Sequence, residues 1–162
     1  MVSETIEFCL WYEKDIRLAI QDARESARRG GVTGGNGSGH MRVSDPTAVQ
    51  ALRAVQKINV LDIPYGMPYG INKRWQETYR LRNPLRWLLV VGFLKKRYIS
   101  DTKNPLHDFF ERRYVKREDW QKTCKDLGIT RSRYFIMKAE VIRAGEVYAA
   151  GCGAASMESI LR

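Results

Sequence analysis

At 162 residues with 44% apolar side chains, the chain is long enough to bury one substantial core or two small ones, which excludes disorder as its default state. No apolar run approaches the roughly 18–20 residues of a membrane helix. The three cysteines, Cys9, Cys124 and Cys152, have no paired spacing and only two histidines beside them, which argues against a disulfide framework and a zinc site. The formal charge is +10, and thirteen basic against four acidic side chains fall in residues 70–117, whereas the flanking segments are close to neutral. Such a concentration attracts a polyanion and releases its counterions, so nucleic acid is the expected partner rather than a solubilising basic face being its only role.

The N-terminus lacks the basic-then-apolar order of a signal peptide, and the expectation is a cytoplasmic protein with no membrane partner. Residues 1–29 predict one long helix. Ser3 can cap it, no proline or glycine interrupts it, and Ile6, Cys9, Leu10, Ile16, Ile20, Ala23 and Ala27 recur at helical spacing. Phe8, Trp11 and Tyr12 add a second apolar face that needs cover, from a partner subunit in a homo-oligomer or from the chain's own core.

Residues 30–43 contain the run GGVTGGNGSG, which reads as a flexible linker, since six glycines in ten residues neither hold a helix nor pack a strand. Asp45-Pro46 then opens the middle segment, 44–103, as a cap and first helical residue, with Ala48, Ala51, Leu52, Val55 and Ile58 as the buried stripe of a helix ending near 59–61. Two near-repeats, Ile63-Pro64-Tyr65-Gly66 and Met67-Pro68-Tyr69-Gly70, predict turns in a surface loop. Residues 72–82 interleave Lys73, Arg74, Arg80 and Arg82 with Trp75 and Tyr79. Residues 85–99 predict a helix with Leu85, Leu88, Leu89, Gly92 and Phe93 on one face and Lys95, Lys96 and Arg97 at its C-terminal end; the length and the Val90-Val91 pair also fit a strand.

Residues 104–150 carry the most specific spacing, ahead of a tail at 151–162. Leu106, Phe109, Phe110 and Tyr114 mark a short amphipathic helix. A second helix is expected over 116–127 with Trp120, Cys124 and Leu127 inward. Gly128 suits the left-handed end of that helix, Ile129 the corner, and Thr130 the cap of a third helix that buries Tyr134, Met137 and Val141. This is the pattern of a helix-turn-helix, with the small Cys124 where the two helices cross. The fold class expected is therefore mainly α: a long N-terminal helix, a glycine linker and a helical C-terminal domain with a helix-turn-helix.

In such a motif the start of the second helix enters the major groove, which assigns base reading to Thr130, Arg131, Ser132 and Arg133. Lys116, Arg117, Lys122 and Lys138, with Lys73 and Arg74 upstream, are the candidates for phosphate contacts. Phe135 and Ile136 lie on faces turned partly outward, where either could contact thymine methyls but packing against the rest of the domain is the preferred reading.

The stretches His107-Asp108-Phe109-Phe110-Glu111-Arg112-Arg113-Tyr114, 122–130 and 131–143 resemble the phage late-gene transcriptional activators of the RinA and ArpU type. That family places an aromatic helix before a sigma-region-4-like helix-turn-helix. The resemblance covers about the last third of the chain and implies activation of late packaging and lysis genes on double-stranded DNA, with bacterial RNA polymerase as a further partner. The Pro64–Gly70 turns and the 72–82 segment depart from the family pattern.

Catalytic signals are sparse: His107-Asp108 has no GxSxG, HExxH or paired-cysteine context, and the carboxylates Asp108, Glu111, Glu118 and Asp119 sit where helix starts favour them. No catalytic residue, metal or cofactor is expected. The competing reading is a small terminase-like DNA-packaging subunit built as a ring; a third is an RNA-binding adaptor that stacks bases on Trp75 and Tyr79.

Overall fold

The structure, a computed structural model, describes residues 2–29, 58–65 and 77–160. The chain is mainly helical with one small sheet, and it divides into two compact units. The first holds residues 2–13 and 85–160 and the second residues 14–29, 58–65 and 77–84. No helix among the described residues is long and apolar enough to cross a membrane.

In place of one helix over residues 1–29 there are two, α1 (Val2–Trp11) and α2 (Glu13–Arg29), interrupted at Tyr12. The break coincides with a competing donor: the Trp11 carbonyl accepts a hydrogen bond from the guanidinium of Arg117. The glycine linker and the helix expected after Pro46 lie outside the described residues, as do Lys73 and Arg74.

Two strands form, one running into the expected turn at Ile63-Pro64-Tyr65 and one in the basic and aromatic segment 72–82. β1 (Val60–Tyr65) pairs antiparallel with β2 (Glu77–Arg82), in a register that sets Leu61 opposite Leu81 and Ile63 opposite Tyr79. Ile63 and Leu81 are buried, whereas Asp62, Pro64, Arg80 and Arg82 are exposed, so the alternation of a half-buried hairpin is present on both strands. Pro64 is admissible because a two-stranded sheet consists only of edges. This corrects both the surface-loop reading of Ile63-Pro64-Tyr65 and the helix end near 59–61. Asn83 closes the unit: its backbone takes a left-handed φ of 53° and its N–H donates to the Asn59 carbonyl at 2.7 Å.

Pro84 occupies the first position of α3 (Pro84–Tyr98), where a missing N–H costs nothing, and Lys95, Lys96 and Arg97 fill its last turn. The buried stripe is Trp87, Val90, Val91, Leu94 and Tyr98 rather than the Leu85–Phe93 face, since Leu85 and Leu89 are exposed. Both stripes satisfy helical spacing. The one with Trp87 and Tyr98 removes more apolar area from water, at about 25 cal/mol per Å².

After α3, Asp101 and Asn104 fold the connection back by accepting from the backbone N–H groups of Lys103 and Leu106. α4 (His107–Phe110) runs on as a π-helical turn (Glu111–Val115), marked by the Lys116 N–H bonding to the Glu111 carbonyl at 2.9 Å. α5 (Trp120–Leu127), α6 (Arg131–Gly151) and the short α7 (Met157–Ile160) complete the unit. Phe109, Phe110 and Tyr114 are buried in its centre. Phe109 meets Tyr134 of α6 edge-on at 5.2 Å, and Tyr98 of α3 stacks on Phe110 at 5.3 Å. Ile6, Cys9 and Leu10 of α1 are buried in the same unit, and Ile6 lies against Gly145 of α6. Of the second apolar face of the N-terminal segment, Phe8 is buried and Trp11 and Tyr12 are half-buried.

Candidate nucleic-acid interface

α5 begins at Trp120 and not at residue 116. Arg117 has a left-handed φ of 57°, which ends helical continuity, and the Asp119 carboxylate caps α5 by accepting from the Lys122 N–H at 2.7 Å. Thr123, rather than Trp120, is the fully buried residue of α5, and its hydroxyl donates to the Asp119 carbonyl at 2.8 Å. Trp120 is 36% exposed.

Gly128 ends α5 with φ 63° and ψ 31°. The Ile129 N–H bonds to the Cys124 carbonyl at 3.0 Å and the Gly128 N–H to the Lys125 carbonyl at 3.3 Å, the two bonds of a Schellman turn. Two residues on, the Thr130 hydroxyl accepts from the Arg133 N–H at 3.2 Å and caps α6. The three residues that separate α5 from α6 thus satisfy both helix ends locally.

The four residues predicted to read bases come together at the start of α6, and all four are exposed. Thr130 is committed to its cap. The Arg131 guanidinium lies 5.1 Å from the Trp120 ring centroid and 5.7 Å from that of Phe135. The described residues supply no acceptor for its N–H donors. Arg133 likewise has no ion pair among the described residues, and Ser132 stands between them.

The predicted phosphate contacts fare differently. Lys116 pairs with Glu111 at 3.1 Å, Lys122 with Glu118 at 3.2 Å and Lys138 with Glu7 at 2.9 Å. Arg117 is held by the Trp11 carbonyl and lies 6.0 Å from the Tyr12 ring. The Lys116–Glu111 pair faces solvent on both sides, and surface pairs of this kind are worth about 0–1 kcal/mol, so a phosphate can take that lysine over; Lys122 is 59% exposed, but the Glu118 carboxylate it pairs with is only 10% exposed. Lys138 and Arg117 hold α1. Arg113 does so as well, lying 4.3 Å over the Trp11 ring.

Arg112 ties the segment before α5 to its last turn, bonding Glu118 at 3.2 Å and Asp126 at 2.6 Å. Burial works to raise the Glu118 carboxyl, but the hydrogen bonds from Lys122 and Arg112 outweigh it and hold the group below the usual carboxylate range. Burial pushes the Tyr134 hydroxyl up, so the ring anchoring the start of α6 stays uncharged. One group among the described residues gathers metal-ligating atoms, His107, Asp108 and Glu111 within 4.8 Å of one another, but His107 Nδ1 contacts the Tyr98 carbonyl at 2.8 Å and Glu111 is paired with Lys116.

Sequence reasoning missed Trp120 as an exposed partner of Arg131 and preferred packing for Phe135 and Ile136, both of which are exposed. The signal available was their position: with Tyr134 and Met137 inward, a period of 3.6 turns 135 and 136 outward. No family model, curated protein or solved structure matches the chain.

Proposed function

We propose that the chain is a sequence-specific binder of double-stranded DNA that works as a phage-type transcription regulator. The observation that carries this is the start of α6. Arg131, Ser132 and Arg133 are exposed in sequence on the first turn of a 21-residue helix, and the two arginines are without acidic partners among the described residues. The helix before it is set by a Schellman turn and a threonine cap, the local geometry a helix-turn-helix requires. The positive end of α6 adds unpaired backbone N–H groups suited to a phosphate. Activation of late genes and contact with RNA polymerase follow from the family resemblance.

The test is selection of binding sites by the full-length protein from a random duplex library, followed by salt titration. Arg131→Ala and Arg133→Ala lose discrimination between the selected site and its point variants, by about 1–3 kcal/mol each. Lys116→Ala and Lys122→Ala weaken all duplexes alike and lower the salt slope by about one counterion each. Retention of wild-type affinity and site preference by both arginine variants would refute the assignment.

A further inference from the structure

The outward face of α6 is apolar at its centre. Phe135 and Ile136 are 45% and 56% exposed, although the inward side of the same turns is filled by Tyr134, Met137 and Val141. One helical turn sets Phe135 over Arg131 and Ile136 over Ser132, and the exposed Ala139 continues the strip from Ile136. Cations lie at the edge of this strip, and Arg131 is already seated against the Phe135 ring.

A surface of this kind matches one chemical feature of the major groove. Base edges there are polar except at thymine, whose 5-methyl group projects into the groove beside the donors and acceptors of its neighbours. Resting on the DNA-binding reading, we propose that Phe135 and Ile136 are specificity-determining residues that bind thymine methyl groups, next to a guanine edge taken by Arg131. The guanidinium donors, without acceptors among the described residues, suit the O6 and N7 acceptors of guanine. The ring that holds Arg131 thereby abuts the neighbouring pyrimidine, so the methyl contact and the guanine contact form one unit.

The experiment takes the duplex that the full-length protein selects and replaces each thymine in turn with deoxyuridine, which removes only the methyl group. Wild-type protein is expected to lose about fourfold in affinity at one or two positions, the fold-change for one buried methyl. Ile136→Ser and Phe135→Ser are expected to bind the thymine and uracil duplexes equally while keeping the wild-type thermal unfolding curve. Both side chains are exposed, and Ile136→Ser alone leaves the Arg131 stack in place. Equal wild-type binding to the thymine and uracil duplexes overturns this inference alone, as does discrimination that survives in both variants. If wild-type protein selects no duplex at all, the DNA-binding reading falls and this inference with it.

Discussion

Replacing Gly145 by alanine probes a close approach of α1 and α3 to α6. A Cβ at this position would stand 3.1 Å and 3.2 Å from Cδ1 and Cγ2 of Ile6 and 3.2 Å from Cδ1 of Leu94, inside the roughly 3.5–4.0 Å of an unstrained carbon contact. Both neighbours are buried and have little room to withdraw. Alanine improves helix propensity by about 1 kcal/mol, and overpacking a tight core costs about 1–3 kcal/mol, so Gly145→Ala is expected to destabilise by about 0–2 kcal/mol. Gly92 provides the control: it lies on the exposed side of α3 with nothing within 4 Å of its added methyl, so Gly92→Ala is expected to stabilise by up to about 1 kcal/mol. Equilibrium urea unfolding followed by far-UV circular dichroism measures both, and their difference isolates the packing term. Adding Ile6→Val removes the Cδ1 atom and is expected to relieve Gly145→Ala by about 0.5–1 kcal/mol in a double-mutant cycle. If Gly145→Ala stabilises as much as Gly92→Ala, α1 and α3 do not close on α6 as described.

Four further outcomes are expected. Gly128→Ala should cost about 1 kcal/mol, since the left-handed φ penalises any Cβ although no atom stands within 4 Å of it, and Gly128→Asn should cost less; both are read from thermal unfolding. Thr130→Ala should lose about 1 kcal/mol by removing the cap, and Thr130→Ser should restore most of it in the same assay. Because the Glu118 carboxyl is held below its ordinary 4.5, its contribution is fully present above that pH and is lost as pH falls through the lower folded value. The stability gap between wild type and Glu118→Gln should therefore shrink on acidification from about pH 5 to pH 3, and a gap that widens contradicts the sign. Burial pushes the Cys9 thiol far up, so native protein should leave Cys9 unmodified by a maleimide, detected by peptide mass spectrometry, and react there only when unfolded.

Much of the helical unit is legible from short spacings because the interactions that decide it are short-range. Pro84 suits a helix start that needs no N–H, the turn at Gly128 and the threonine before Arg131 satisfy backbone groups three to five residues away, and the arrangement at 128–133 follows from those residues alone. The inward placement of Tyr134, Met137 and Val141 follows from period. What depended on distant chain was not legible. β1 and β2 exist because Val60–Tyr65 meets Glu77–Arg82, a pairing that overrides the turn preference of Pro64. The choice between two apolar stripes on α3 was made by what packs against it. The interruption at Tyr12 and the engagement of Arg117 and Lys138 belong to contacts between α1 and residues more than one hundred positions later, which no local pattern encodes. Sequence alone thus determined the turn and the edge that follows it, through hydrogen bonds within a few residues. Only the tertiary structure decided which cations remain uncommitted and that Trp120 stands beside Arg131, because both depend on partners brought together by folding.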